Sequence, residues 1–431
     1  MRSIRHINDK SLFKTFIPSL LTALLLILSL PSVTKAEQLT AKDFFDRGVA
    51  QLKKQQYNLS IIEFNKAIAL NPKYAETYYN RGRAYHELKQ YDKAITDFSQ
   101  TISLQPDDAS AYYYRAFVYE ELNQYEQAIA DYDRCITIHP TAQYMYNARG
   151  NAYAQLNQYE RAIADFDKAL AIDPNYEYAY YNRAEIYFKM NQYEKAITDF
   201  DKTIAFDPKH ATAYSNRGTT HAVLKHYEQA ITDYNQAITL NPKDPVSYFG
   251  RGTAYANLNK FDQAISDFDK AILIDPQFAS AYYNRGLAYA NLKQYEQALA
   301  DYDKAIAMNP QYVEAYTSSG AAYTYLRQYE QALADYDKAI AIDPQSAFTY
   351  YKRGQIYYLL KQNEKSINDC DRVIAIDSQY ADAYFLKGIA LGTLGHTQEA
   401  LIALRQYLQI GTDPELINIA NQAIRQSGST P

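Results

Sequence analysis

The chain has 431 residues with 44 basic and 49 acidic side chains, a net charge of −5, 45 tyrosines, no tryptophan and two cysteines. The acid excess argues against nucleic acid, whose phosphates need stripes of Lys and Arg. Two cysteines in this length rule out a disulfide-stapled scaffold.

Residues 1–36 stand apart from the rest. Arg2, Arg5, Lys10 and Lys14 precede the apolar run Phe16 to Leu30, and Thr34-Lys35-Ala36 offers a small-residue cut site. This pattern predicts an export signal, and with it a periplasmic or secreted protein. The run of fifteen falls short of the roughly 20 residues of a spanning helix, so cleavage is favoured, and an uncleaved membrane anchor over 16–30 is the alternative. Cleavage would leave 39 basic and 48 acidic residues.

From Ala41 the chain repeats every thirty-four residues, most plainly between Ala279 and Tyr312. Tyr282, Gly286, Tyr289 and Leu292 mark one face of a first helix, and Tyr295, Ala298, Leu299, Tyr302 and Ile306 one face of a second. A turn falls at Lys293-Gln294, and Asn309-Pro310 stops the second helix because proline lacks the next donor. Proline recurs in phase nine times, from Pro72 to Pro344. Counted from Ala41, the eighth place is Gly or Ala throughout (Gly48, Ala116, Gly286), and the twentieth is small (Ala94, Ala298), as closely touching helices require.

This period, with its small, aromatic and proline marks, resembles the tetratricopeptide repeat over eleven units, from Ala41 to about Pro414. The resemblance implies an all-α, right-handed superhelical solenoid whose first helices line a concave groove. Such a stack grows one repeat at a time, so residues 37–414 are expected to form one elongated domain. Leu416, Ile417, Ala420, Ala423 and Ile424 continue as an apolar stripe, predicting a capping helix and then a disordered tail within 415–431. Cys135 and Cys370, seven repeats apart, are expected to be free thiols filling the core.

The seventh and twenty-third places vary together. Arg47, Arg81, Arg115, Arg149, Arg183, Arg217, Arg251, Arg285 and Arg353 are answered sixteen residues later by an acid, from Glu63 to Asp369, and Lys387 faces Ala403. A planar guanidinium fork matches a carboxylate, so each pair predicts a partly buried bridge between the two helices of its repeat. Ser319 breaks the rule opposite Asp335, and that repeat is expected to be the soft one.

No catalytic, cofactor or metal motif is found: the seven histidines form no ligand pair, and neither a Gly-x-Ser-x-Gly elbow nor a phosphate loop occurs. Acid pairs such as Asp301 and Asp303 recur in nearly every unit and read as structure. Binding is what remains, and the groove places are the second, fifth, sixth, ninth, twelfth and thirteenth. Two units carry an aromatic face there: Tyr178, Tyr181 and Phe188 in one, Phe348, Tyr351 and Tyr358 in the other. Packing against the next repeat is the competing explanation, though such rings are also what peptide hot spots use. Asn80, Asn182, Asn216 and Asn284 hold the sixth place, where similar solenoids use asparagine to grip an extended peptide. Tyr114, Ala148, Gly250, Ser318, Lys352 and Leu386 break the row, and solvated asparagine is the favoured alternative. The expected function is therefore an exported, non-enzymatic interaction scaffold binding partner proteins or peptides in its groove. A glycan-handling solenoid of the cell envelope and a structural spacer or assembly module are the alternatives. No nucleic acid is expected as a partner, and a membrane only through the uncleaved leader.

Overall fold

The computed structural model describes residues 39–426. The expected export signal at 1–36 and the tail at 427–431 lie outside them. The described residues form twenty-three helices and no strand, and none of these helices is long and apolar enough to cross a membrane. The chain divides into two compact units between Pro174 and Asn175, where the sequence suggested a single domain. Among the described residues, the helices of each unit contact those next to them along the chain.

Within each unit the hairpin is uniform: first helices such as Ala279–Asn291 have 13 residues and second helices such as Tyr295–Met308 have 14. The first helix ends because the fifteenth place turns left-handed, at φ 57° for Asn123 and 61° for Lys293. Asparagine tolerates that conformation best among residues with a side chain. The following N–H then closes the turn, as when Gln294 N donates to Tyr289 O at 2.9 Å. The second helix ends on an extended residue before the in-phase proline, as at Asn309 (φ −129°).

The small places hold the helices together. A Cβ built on Gly286 would lie 2.7 Å from Tyr302 Cε1, and on Gly320 2.7 Å from Tyr336 Cε1. Place twenty-four carries this ring in repeats one to nine, while Cys370 and Leu404 replace it in repeats ten and eleven. Cys135 and Cys370 are free and buried, and burial pushes both thiols up to about 12. The last helix, Pro414–Gln426, lays Ala420 and Ile424 against Leu401, Leu404 and Tyr407.

Arginine pairs its two helices in eight repeats. From Arg81–Asp97 to Arg353–Asp369, Nε and Nη2 both donate to the carboxylate at 2.5–2.9 Å. The arginine side chains are 17–19% exposed and the aspartates 2–7%, so these are interior pairs. The bond to the acid holds the Arg149 and Arg285 guanidinium groups well above their ordinary pKa. Repeat one departs from the expectation. Glu63 takes Lys66 at 2.5 Å, and Arg47 lies over the Phe44 ring at 5.8 Å. The longer glutamate reaches a lysine one turn on.

Candidate partner-binding wall

The fifth-place rings have a structural job. Phe249 meets Phe278 at 4.9 Å, Tyr283 meets Tyr312 at 4.9 Å, Tyr351 meets Tyr380 at 5.2 Å, and Tyr181 stacks on His210 at 4.8 Å. In each case the partner is the last residue of the same thirty-four, which leads into the next repeat, so these half-buried rings staple consecutive hairpins. The sequence marks this pairing only in part: Ser215 and Thr317 go with the non-aromatic Asp244 and Ser346, but Tyr79 and Tyr113 likewise go with Asp108 and Ala142, while Asn147 goes with Tyr176.

The predicted residues of repeat five divide between surface and packing. Tyr178 is 56% exposed and touches Tyr176 at 5.6 Å. Tyr181 donates to Glu185 Oε1 at 2.9 Å and receives the Asn216 Nδ2 at 3.1 Å. Burial pushes its phenol well above the ordinary range. Phe188 packs on Tyr193 at 5.5 Å and, with Glu185, Lys189 and Asn216, lines a cavity of about 190 Å³. Two of the other asparagines turn inward on their own helix: Asn80 Nδ2 donates to Glu76 O at 2.8 Å and Asn284 Nδ2 to Ser280 O at 2.9 Å. Their amide oxygens are what a peptide would find there. Asn182 is half-buried.

A larger cavity, about 490 Å³, opens along repeats nine to eleven. Its wall combines Tyr325, Tyr351, Tyr358 and Phe385 with Lys352, Gln355, Leu386 and Ile389, and Leu416 of the last helix closes one end. Apart from Tyr336, Ile356 and Leu416, every lining residue occupies one of the six groove places. Lys352 is the one cation on the wall, with Nζ 5.3 Å from the Phe348 ring centre and 5.8 Å from that of Tyr351. Phe348 itself is 51% exposed and does not line the cavity. Burial lifts the Tyr351 phenol, so that ring stays neutral. Sequence reasoning missed Lys352 and Leu416; Cys370 and Leu404, with less bulk than the rings of earlier repeats, mark the same end of the chain.

The arrangement offers aromatic faces, a positive charge and amide groups beside apolar space, which suits holding an extended segment. Among the described residues no group of three or more His, Cys, Asp or Glu is placed to hold a metal.

Four models of the tetratricopeptide repeat match the chain, together spanning 44–142, 150–312 and 320–410. No curated protein matches it. Among solved structures it is similar to YrrB, described as a TPR protein with an unusual peptide-binding site. The two are 30% identical over 43% of this chain and 95% of that one, with a TM-score of 0.39. It is also similar to the C-terminal part of a TPR repeat-containing protein from Cytophaga hutchinsonii, at 21% identity over 56% and 98% with a TM-score of 0.47. For yeast Tom70 the identity is 15% over 90% and 96%, with a TM-score of 0.42. Family models matching most of its length, on a structure built of paired helices at the same period, make this chain a member of the tetratricopeptide repeat family, whose members are generally non-catalytic scaffolds for protein–protein interaction.

Proposed function

We propose that the protein is an exported scaffold that holds an extended segment of a protein partner against the wall of repeats nine to eleven. The observation that carries this reading is the cavity of about 490 Å³, where Tyr325, Tyr358 and Phe385 surround apolar space beside the Lys352 charge. Export rests on the basic and apolar pattern of residues 1–36, and N-terminal sequencing of the mature protein tests it.

A photo-crosslinking side chain in place of Tyr358 in intact cells should capture one partner peptide, and the same group in place of the outward Leu273, 74% exposed, should not. Equal capture at both positions, or none at Tyr358, overturns the reading. The glycan alternative draws on the flat pair of Tyr295 and Tyr325, 4.9 Å apart with 5° between ring planes, and on the 69% exposure of Tyr325. Retention of envelope oligosaccharide that is lost in Tyr325→Ala would favour that reading instead.

A further inference from the structure

Seven of the arginines each do two jobs. While Nε and Nη2 of Arg285 hold Asp301 of its own repeat, Nη1 donates to Asp269 in the repeat before; Arg353 does the same with Asp369 and Asp337. Two tyrosines flank the guanidinium of Arg149, Arg285 and Arg353: the Arg285 carbon lies 5.5 Å from the Tyr282 ring centre and 6.0 Å from that of Tyr289. At Arg149, Arg285 and Arg353 the site is thus two carboxylates and two rings around one planar cation.

Repeat nine keeps every part of this site except the cation. Tyr316 and Tyr323 stand at the two ring places, Asp335 at the place of Asp301, and Asp303 at the place of Asp269, while the arginine is Ser319. Neither Asp303 nor Asp335 makes an ion pair in the structure, although Asp335 is half-buried. Ser319 is 1% exposed, and its hydroxyl lies beside Asp335 yet meets no partner in hydrogen-bonding geometry. Burial makes Asp335 resist ionisation, and the charge of Asp303 adds to that resistance. A serine is shorter than an arginine, and Asp335 is half-buried where the paired Asp301 is buried, so with the exposed Asp303 the two carboxylates can be reached from solvent.

We propose that this opening at repeat nine receives an arginine side chain from a protein partner, which would take the position that Arg285 and Arg353 hold in their own repeats. Arg149, Arg285 and Arg353 show that these same surrounding groups bind a guanidinium in a two-pronged geometry, and such pairing favours arginine over the point charge of lysine. The site is separate from the Tyr358 wall, so its test stands independently of that reading.

The probe is Nα-acetyl-arginine methylamide, which mimics the residue within a chain, and the readout is amide hydrogen exchange of Tyr329–Ile342 in the full protein. The probe should slow exchange there and leave Tyr295–Met308 unchanged. The neutral citrulline analogue should have no effect, and the lysine analogue should bind about tenfold more weakly. Ser319→Arg, which copies the neighbouring repeats and so should fold, should abolish the response, as should Asp303→Asn combined with Asp335→Asn. The proposal fails if citrulline protects equally, if Ser319→Arg still responds, or if no protection develops up to the solubility of the probe. Protection by free arginine alone, or by calcium ion as strongly as by the probe, would likewise overturn it.

Discussion

Repeats eight and nine provide a comparison built into one chain. Their second helices, Tyr295–Met308 and Tyr329–Ile342, are identical but for the last residue. Yet Asp301 is buried under the fork of Arg285, and Asp335, with Ser319 opposite, is only half-buried and has no cation. The same aspartate in the same helix therefore owes its environment to the facing helix. Burying a carboxylate is tolerated when a guanidinium satisfies it and is costly when none does.

The comparison can be broken in four ways, from the largest effect to the smallest. Arg285→Ala leaves Asp301 and Asp269 unpaired and should cost about 3 kcal/mol by urea denaturation, less than a fully sealed pair because the arginine is 18% exposed. Gly286→Val and Gly320→Val should each cost about 2 kcal/mol, since each added side chain drives into a tyrosine ring. Their equality would show that the two repeats differ in charge and not in packing.

Glu120, in repeat three, is another half-buried carboxyl without a cation. Tyr132 donates to it at 3.0 Å, and burial pushes it up to about 7. A raised folded pKa means that the native state holds the proton more tightly than the unfolded one. Stability from this group is complete below the unfolded value near 4.5 and is lost as pH rises toward 7. Glu120→Gln should therefore stabilise the protein at pH 8 by about 1–2 kcal/mol, with the gain vanishing near pH 4; thermal melts at the two pH values check this. By the same sign, Asp335→Asn should stabilise repeat nine at neutral pH by less than about 1 kcal/mol, read from local hydrogen exchange. The equivalent Asp301→Asn should destabilise repeat eight.

Much of this was legible in the sequence because each place meets the same physical demand in every repeat. Gly286 and Ala298 must be small, Asn309-Pro310 must end a helix, and Arg285 changes only with its acid. The second grip of seven arginines was hidden, because its acceptor in the preceding repeat varies in kind: Asn65, Ser99, Asp133 and Asp269 all serve. Periodicity also could not tell a ring that staples, such as Tyr351 on Tyr380, from one that faces solvent, such as Tyr178. Nor could it show that Asn80 and Asn284 spend their donors on their own helices, since that is a choice of rotamer.

Hydrogen exchange on the two nearly identical helices tests the comparison most directly, because shared sequence gives Tyr295–Ala307 and Tyr329–Ala341 the same intrinsic rates. Faster exchange at Tyr329–Ala341, with the difference removed by Ser319→Arg, is the result expected of a repeat that lacks its guanidinium. Equal protection of the two segments in the native protein would contradict it.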